Sequence, residues 1–484
     1  MRDYDLILKG ARIVDPVNGL DDVRDLAIKG PEVADVEHSI DVQNGRNVID
    51  LSGKTIMPGV IDPHTHFLPL LSRKEPSEVK QLCARACNMM VKSGVITAVD
   101  QGGLMENVFG YLNECGAGMN VAVNSIVQGY LPSVNDQTPS RSQLRESADR
   151  AIENGAIGIK ILGSSGNPFP LTPEATRSAI EIANEKRIYV AFHVGTSATS
   201  SSIDGLREAI ELAGGNRVHL AHIACYCREE RRGKDPVAEA MEALEILRGK
   251  GNLVSESYIS PYDPSSGECV NGIPQDRSTR TRLTLRGYAA TEDGLKQAIL
   301  KEAALVEDMD DRLDVVMLRK GEALDCWRKA KTRVRVHFSV NVAEATILLT
   351  VRKDDQGEFI VDAISTDGGA SPRNVMVTSG LALVRYGALT LDDFVMKTSY
   401  NASRMLGMTS KGHLGMGADA DITVLDLSKG MAVMSLALGK VIMKDGVAVG
   451  RGGTVITTKR GEKRVRESGL PYQVIDLEDS TLYE

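Results

Sequence analysis

Two histidines separated by one residue end the segment 58–66, Pro-Gly-Val-Ile-Asp-Pro-His-Thr-His, of this 484-residue chain. In a β-strand, alternate side chains point to the same face, so His64 and His66 would present both imidazoles on one side. Imidazole pairs of this kind bind zinc and similar metals. Two histidines in a surface turn would show the same spacing, so the pair gains meaning only from the residues around it.

Further polar side chains interrupt or end other apolar segments: Lys160, His193, His219, His222 and Asp367. Each has an ordinary explanation, such as a lysine reaching the surface, a core histidine or an aspartate in a turn. His219 and His222 differ by three positions and would face opposite sides of a strand. We therefore choose His222 as the metal ligand and expect His219 to be structural or to contact a ligand from behind. Taken together, these positions indicate that the polar side chains converge at one site.

The elements that would position these residues alternate between strands and helices from residue 58 onward. Apolar strands that alternate with helices indicate a parallel sheet covered by helices. Eight strands predict an α/β fold with a closed (β/α)8 TIM-type barrel, in which strand ends converge on one mouth. A doubly wound sheet is the alternative, but no Gly-x-Gly-x-x-Gly turn follows the first strand. The predicted strands are 60–65, 95–100, 120–128, 156–162, 188–193, 217–223, 252–259 and 359–366.

The two ends of the chain contain short β segments bounded by Gly, Asn and Asp. Residues 1–57 and 413–458 are predicted to pack together as a small β-sandwich domain built from both chain ends. Residues 58–412 would form the barrel, with an insertion at 261–356 after the seventh strand. The segment 459–484 is a charged C-terminal tail without an assigned role.

Within the insertion, an apolar periodicity predicts a helix over 295–317, and 334–338 with 346–351 is predicted to form a hairpin. An insertion after a barrel strand lies at the C-terminal face, over any active site. Two roles remain open for it: a lid or wall against the substrate, or a contact between subunits.

Composition narrows the class of protein. A net charge of −8 argues against binding to nucleic acid or anionic membranes. The seven cysteines form an odd number without the spacing of a disulfide scaffold, so we expect reduced thiols. No signal peptide or membrane-spanning run is evident. We expect a cytoplasmic protein that acts on a small molecule and forms a homo-oligomer, a dimer or a tetramer.

This set of motifs resembles the amidohydrolase superfamily, of the dihydropyrimidinase, dihydroorotase and N-acyl-amino-acid deacylase kind. The resemblance implies a (β/α)8 barrel, a split β-sandwich and two divalent metal ions, expected to be zinc. It implies that His64, His66 and Asp367 hold one ion and that His193 and His222 hold the other. Lys160, carboxylated by carbon dioxide, would bridge both. The resemblance rests on 58–66, 158–160, His193, His222, 365–367 and 415–425.

The chemistry implied is hydrolysis of a C–N amide bond in an N-acyl amino acid or a cyclic amide or imide. Two metals ~3.5–4 Å apart can share a hydroxide, with the pKa of the water lowered toward ~7. That hydroxide would attack the amide carbon. Asp367 would act as general base and then as general acid toward the leaving nitrogen.

Departures from the family pattern narrow the range of possible substrates. Dihydroorotase-like sequences carry an arginine just after the His-x-His, whereas this chain has Phe-Leu-Pro at 67–69. Hydantoinase-like sequences place a tyrosine after the bridging lysine, whereas Gly-Ser-Ser-Gly occupies 163–166, although Tyr258 could substitute. The long insertion and the spacing of the ligands favour the deacylase branch. Candidates to bind a substrate carboxylate are Arg280, Arg282 and Arg373.

Two other functions remain open. A deaminase of a nitrogen heterocycle is one, although Lys160 argues against it because mononuclear deaminases of this superfamily usually lack the bridging lysine. A non-catalytic scaffold of the dihydropyrimidinase-like kind is the other. Such a protein would be free to lose ligands, and here every ligand position is filled.

Overall fold

The structure is a computed structural model that describes residues 3–68, 76–164, 167–228, 235–310 and 314–483. Pro69, Ser165, Gly166 and Leu313, which entered the predictions above, lie outside these ranges. None of the helices in the described ranges combines the length and the apolar character needed to cross a membrane.

Eight parallel strands form the central barrel, which confirms the predicted fold class. The last strand closes the barrel in two steps, because residues 363–365 pair with the seventh strand and Gly368–Gly369 pair with the first. Asp367 lies between these two pairings. The strands are β1 (Val60–His66), β2 (Val95–Gly102), β3 (Ala117–Ile126), β4 (Gly158–Ile161), β5 (Tyr189–Phe192), β6 (Val218–Leu220), β7 (Leu253–Tyr258) and β8 (Ala363–Ser365).

Apolar side chains cluster inside the barrel towards the N-terminal ends of the strands. One buried cluster combines interior residues of the strands with residues of the C-terminal tail. Tyr483 of the tail donates a hydrogen bond to the carbonyl of Ile188, just before β5. The tail therefore covers the N-terminal end of the barrel. The strand residues of the cluster include Ile61, Val99, Ala122, Tyr189, Ala191, Val254 and Ala363.

Helices cover the outside of the barrel. Local sequence explains several of their starts: Ser140 and Gln143 form a reciprocal capping box, and Thr172 caps a helix that begins with proline. The helix 105–115 was not predicted, because no side chain caps its start. The helices are α1 (Pro76–Lys92), α2 (Met105–Cys115), α3 (Arg141–Glu153), α4 (Pro173–Glu185), α5 (Ile203–Ala213) and α6 (Pro236–Leu247).

The segment between β7 and β8 contains its own four-stranded sheet, formed by Tyr262–Ser266, Leu305–Met309, Val315–Leu318 and Arg335–Ser339. Its cluster of buried apolar residues is separate from that of the barrel. The remaining elements of this segment are the short strands Cys269–Val270 and Ile273–Pro274 and the helices Arg277–Leu285, Glu292–Leu300, Lys320–Lys329 and Ala343–Val351.

Two predictions for this segment are wrong. The helix expected over 295–317 ends at Leu300, because Glu302 adopts a φ of 60° and the chain turns into a strand at Leu305. Residues 346–351 lie in the helix Ala343–Val351 rather than in a hairpin strand. Their apolar and β-branched composition suggested a strand. The Thr350 hydroxyl donates to the Thr346 carbonyl within the helix, which satisfies it there.

A nine-stranded sheet combines both ends of the chain. Thr55–Pro58 joins the two contributions, because it pairs with Tyr4–Asp15 on one side and with Ile422–Asp426 on the other. Its buried residues come from both ends. The other strands are Leu20–Lys29, Glu32–Glu37, Gly45–Asp50, Met431–Ala437, Lys440–Lys444 and Val447–Ala448.

The C-terminal boundary predicted for this sheet is wrong. Gly452–Thr458, expected within it, pairs in parallel with β3 and therefore extends the barrel sheet. Tyr472–Ile475 of the tail pairs with Gly452–Thr458, and the helix Glu462–Glu467 connects them. Between the barrel and the sheet lie the helix Met376–Arg385 and a long helix with a π-helical middle, made of Leu391–Val395, Met396–Tyr400 and Asn401–Met405.

Candidate metal centre

The two histidines of the opening motif lie at the C-terminal end of β1. His64 is fully buried, and His66 is partly exposed at the mouth. Their ring centroids lie 5.3 Å apart. His66 Nε2 lies 3.0 Å from Asp367 Oδ1, and His64 Nε2 lies 3.7 Å from the same oxygen. The first strand therefore presents both imidazoles to one carboxylate.

The closure of the barrel places Asp367. Its backbone N–H donates to the His64 carbonyl at 2.9 Å, and its φ is 49°. A non-glycine residue in this left-handed region is strained, and such strain is concentrated at functional sites. The next two residues, Gly368 and Gly369, pair with the end of β1. The same junction that closes the sheet thus brings Asp367 to the two histidines.

His222 follows β6 and also adopts a left-handed backbone conformation, with φ 35°. Its ring centroid lies 4.7 Å from that of His64 and 4.4 Å from that of His193. One ligand atom from each of His64, His222 and Asp367 can be chosen so that all lie within 4.8 Å of one another. His193 Nε2 also lies 3.1 Å from the Ser201 hydroxyl. The structure thus brings the predicted histidines of β1, β5 and β6 together.

Lys160 lies on β4 between its neighbours β3 and β5, and its side chain is fully buried. Its Nζ has no hydrogen-bond partner in the described part of the chain. Burial lowers the pKa of Lys160 to about 8, although Glu256 and Asp367 oppose this shift. The neutral amine is the form that reacts with carbon dioxide, so this environment suits the proposed carboxylation.

The donor set fits a divalent metal ion. Among the described residues, His64 Nε2, His66 Nδ1 and His222 Nδ1 are buried without a hydrogen-bond partner, as is Lys160 Nζ. Buried polar atoms are normally satisfied, so a convergence of unsatisfied nitrogens needs a partner. Neutral imidazole, carboxylate and a carboxylated lysine together supply ligands that zinc accepts. Which nitrogen binds which of two ions stays a prediction.

Electrostatics keeps these groups in ligand form. Burial, followed by the charge of Lys160, lowers the pKa values of His64 and His193 to about 3. Burial likewise holds the pKa of His222 well below its usual value. Burial alone would raise the pKa of Asp367, but Arg373 and the hydrogen bond with His66 hold it well below its ordinary value. The imidazoles are therefore neutral and the carboxylate ionised.

Glu256, on β7, is a residue of the site that the sequence analysis missed. It is fully buried, and its Oε1 lies 2.6 Å from His64 Nδ1. His219 Nε2 lies 3.6 Å from the same oxygen, so His219 is behind the ligand ring. A usable signal was present, because Glu256 is two residues before Tyr258 and strand periodicity puts both on one face.

A cluster of arginines lies beside the ligands. Arg373 Nη1 donates to Asp263 Oδ1 at 2.9 Å and to Asp367 Oδ2 at 2.8 Å. Arg282 Nη2 donates to Asp263, and Arg228 Nη1 donates to it at 3.2 Å. All three guanidinium groups are largely buried. The insertion, which supplies Arg282 and Asp263, therefore lies against the candidate metal centre.

Two further predicted substrate-binding residues, Tyr258 and Arg280, lie in different surroundings. Tyr258 is fully buried, its ring lies 4.3 Å from the Arg373 guanidinium, and Arg228 donates to its hydroxyl. Arg280 instead donates to the carbonyls of Pro274 and Gln275 within the insertion. The structure brings Tyr258, Arg282 and Arg373 together and leaves Arg280 outside the cluster. Arg228 was missed, because no strand or motif marked it.

Comparison with known proteins identifies the family. Residues 55–250 and 286–462 match the Amidohydrolase family, and the chain belongs to that family. Dihydroorotases are among its curated relatives. That of Elusimicrobium minutum (strain Pei191) is 23% identical over 450 residues, covering 87% of this chain and 88% of the relative. That of Anaeromyxobacter sp. (strain K) is 26% identical over 452 residues, with the same coverage. The predicted superfamily is confirmed, as is the class of enzyme, a hydrolase of carbon–nitrogen bonds other than peptide bonds.

Solved structures share the fold. A D-aminoacylase described as having a binuclear metal centre matches with a TM-score of 0.66 and 16% identity, covering 93% of this chain and 99% of the other. A D-hydantoinase matches with a TM-score of 0.57 and 16% identity, covering 93% and 98%. These structures support the barrel architecture across nearly the whole chain.

Proposed function

We propose that the protein is a metal-dependent hydrolase that cleaves the amide bond of a small substrate carrying a carboxylate, of the N-acyl amino acid type. The observation that carries this proposal is the convergence of ligand atoms from His64, His222 and Asp367 next to a cluster of buried arginines. The convergent ligands account for bond cleavage and the arginines for recognition of the substrate.

The metal part of the proposal assigns six residues to two divalent ions, with zinc preferred: His64, His66, carboxylated Lys160, His193, His222 and Asp367. When bound, such ions acidify a water molecule and polarise the substrate carbonyl. Support comes from the convergence of the ligand atoms of His64, His222 and Asp367 and from the burial of Lys160.

Asp367 is the proposed proton carrier. Its Oδ1 faces His64 and His66, while its Oδ2 accepts a hydrogen bond from Arg373. An ionised carboxylate in this position can accept a proton from the attacking water and donate it to the leaving nitrogen. The hydrogen bond to Oδ2 keeps Oδ1 directed at the mouth.

The free donors of the arginine cluster support an anionic substrate. Arg228, Arg282 and Arg373 all contact Asp263, and Arg373 also contacts Asp367 beside the proposed ligands. Arg373 Nε and Nη2 are buried and have no hydrogen-bond partner within the described ranges. A substrate carboxylate would complete this arrangement.

A cyclic amide is the second candidate substrate, because the curated relatives are dihydroorotases and a D-hydantoinase shares the fold. The structure favours the linear amide. Phe67 lies where dihydroorotase-like sequences carry an arginine. It is buried, and its N–H donates to Asp100 at 2.8 Å. Leu68 N–H donates to the same carboxylate at 2.9 Å. The two described residues that follow His66 are therefore apolar, and their backbone N–H groups bind a buried carboxylate.

The first experiment measures metal content and hydrolysis on protein purified with bicarbonate and without chelator. We expect about two zinc-like ions per chain and hydrolysis of N-acyl amino acids in preference to cyclic amides. Lys160→Met should lose both metal and activity, whereas Lys397→Met, a buried lysine away from the mouth, should keep both. Correctly folded protein without bound metal, or release of ammonia from a heterocycle, would contradict the proposal.

We also propose that the protein is a cytoplasmic homo-oligomer. All seven cysteines lie in the described ranges and are free thiols, as expected in a reducing compartment. Light scattering after size-exclusion chromatography tests the oligomeric state, and a monomer would contradict that part.

A further inference from the structure

One buried carboxylate, Glu256, touches three separate segments of the barrel. Its Oε1 accepts from His64 Nδ1 at 2.6 Å and from the His222 backbone N–H at 2.7 Å. Its Oε2 accepts from the Ser365 hydroxyl. The three contacts lie on β1, after β6 and on β8, so they tie together strands that are far apart in the sequence.

These are the segments that carry the convergent ligands. His64 and His222 are contacted directly, and Ser365 is two residues before Asp367. The ligand atoms of His64, His222 and Asp367 are those that lie within 4.8 Å of one another. Glu256 is therefore placed to set the relative positions of all three.

The contact with His64 also decides which nitrogen is available. With Nδ1 donating its proton to Glu256, the lone pair of the neutral ring lies on Nε2. His64 Nε2 is the atom that faces Asp367, at 3.7 Å. A carboxylate behind a histidine in this way orients the ring and strengthens its nitrogen as a ligand.

The contact with His222 stabilises a strained backbone. The φ of His222 is 35°, a left-handed conformation that is strained in a non-glycine residue. Such a conformation persists only when its surroundings stabilise it. The charge-assisted hydrogen bond from the His222 N–H to Glu256 provides this stabilisation. Without it, the chain after β6 would be free to turn the His222 ring away.

We propose that Glu256 is the positioning residue of the metal centre. It fixes the tautomer of His64 and holds the segments of His222 and Asp367, so that the ligand atoms are assembled before an ion arrives. This inference rests on the proposed metal site, and it adds a residue that would bind no ion itself. The adjacent His219, 3.6 Å from Oε1, supports the carboxylate from behind.

The test uses Glu256→Gln and Glu256→Ala. Glutamine keeps the shape and can keep all three hydrogen bonds, but it lacks the charge; alanine removes the contacts. The matched control is Asp362→Asn, a half-buried carboxylate whose Oδ2 accepts from the Ser255 N–H and which, within the described ranges, has no hydrogen bond to a proposed ligand. Metal affinity is measured by competition with a chelating dye, and ligand geometry by the visible absorption of the Co²⁺ form.

We expect Glu256→Gln to bind metal about 10–100-fold more weakly, in line with other residues behind metal ligands. We expect Glu256→Ala to bind more weakly still and to show an altered Co²⁺ spectrum. Asp362→Asn should match the wild type in both readouts. Wild-type affinity and spectrum in both Glu256 variants would overturn the inference.

Two further results keep the outcome clear. If Glu256→Ala does not fold, Ser365→Ala takes its place, because it removes one contact and leaves the carboxylate. We expect this variant to alter the Co²⁺ spectrum. An unchanged spectrum in Ser365→Ala, together with wild-type metal affinity in Glu256→Gln, would overturn the inference. Absence of metal from the wild type would instead overturn the proposed function. The two failures are therefore distinguishable.

Discussion

Two regions of this protein each bury a lysine, and they treat it in opposite ways. At the junction between the terminal sheet and the barrel, Lys411 Nζ donates to Asp419 and to Asp421, each at 2.7 Å. At the mouth, Lys160 Nζ has no such partner among the described residues. The burial is nearly equal, so the difference lies in the partners.

The comparison teaches how to separate a scaffold charge from a functional one. A buried charge is expensive unless it is paired, so a paired lysine stabilises the fold and an unpaired one is retained for another reason. Asn120 of β3 donates to Asp421 as well, which ties the junction to the barrel. At the mouth, the missing partner of Lys160 is supplied, in our proposal, by carbon dioxide and metal.

The largest expected effect follows from breaking the ion pairs of Lys411 at the junction between the terminal sheet and the barrel. Lys411→Met leaves two buried carboxylates without their cation, which costs about 3–5 kcal/mol of folding free energy. Urea unfolding of the metal-free protein measures this loss. Metal content of the folded variant should stay at the wild-type value. A loss below about 1 kcal/mol would contradict the structural role of this lysine.

The next effect concerns Arg373, a buried cation with only part of its donors satisfied. Arg373→Lys keeps the charge but loses the guanidinium geometry. We expect the KM for an N-acyl amino acid to rise about 10–100-fold, because a hydrogen bond to a charged group contributes about 1.5–3 kcal/mol. The KM for the amide of the same amino acid, which lacks the carboxylate, should stay unchanged, whereas loss of the Arg373–Asp367 hydrogen bond would lower kcat for both substrates.

The control for Arg373 is Arg280→Lys, since the hydrogen bonds of the Arg280 side chain within the described ranges go to backbone carbonyls of the insertion. It should leave the KM of both substrates unchanged. An equal rise for the acid and the amide in Arg373→Lys would remove carboxylate recognition from the proposal.

The third prediction, whose effect is the smallest over any one pH unit, sharpens the comparison with an intermediate case, Lys397. Its Nζ donates to the Val361 carbonyl, and burial lowers its pKa to about 7. Between about pH 7 and 10.5 the unfolded chain binds this proton and the folded chain does not, so stability should rise with pH, by at most about 1.4 kcal/mol per unit. Asp362 nearby has its pKa raised to about 6 by burial and titrates below this window.

Lys397→Met should flatten this dependence, which is measured by the denaturation midpoint from pH 7 to 10. The same slope in variant and wild type would show that Lys397 remains protonated in the folded protein.

The sequence was sufficient for the barrel and for the residues at its strand ends. Short apolar segments that alternate with helical ones identify the strands, and His64, Lys160, His193 and His222 interrupt or end such segments. Parallel strands then bring their ends together, so the convergence follows from the topology. The fold class and the superfamily were both predictable in this way.

The residues that sequence reasoning missed depend on contacts between distant segments. Glu256 resembles an ordinary strand residue between two serines, and only the packing shows that it meets His64. Arg228, which was also missed, meets the predicted Arg282 at Asp263 because the insertion folds against the mouth of the barrel. The insertion itself was predicted poorly, since Thr346–Val351 has the composition of a strand but packs as a helix.

The strand Thr55–Pro58 has a consequence for how the chain is made. Its antiparallel neighbour, Ile422–Asp426, follows more than 360 residues later. At about 5–20 residues per second, a ribosome needs some tens of seconds to deliver that neighbour. Throughout this time the N-terminal strands have an open edge with unpaired backbone groups, which is an aggregation hazard. Synthesis of about the last eighth of the chain is thus also the step that protects the first.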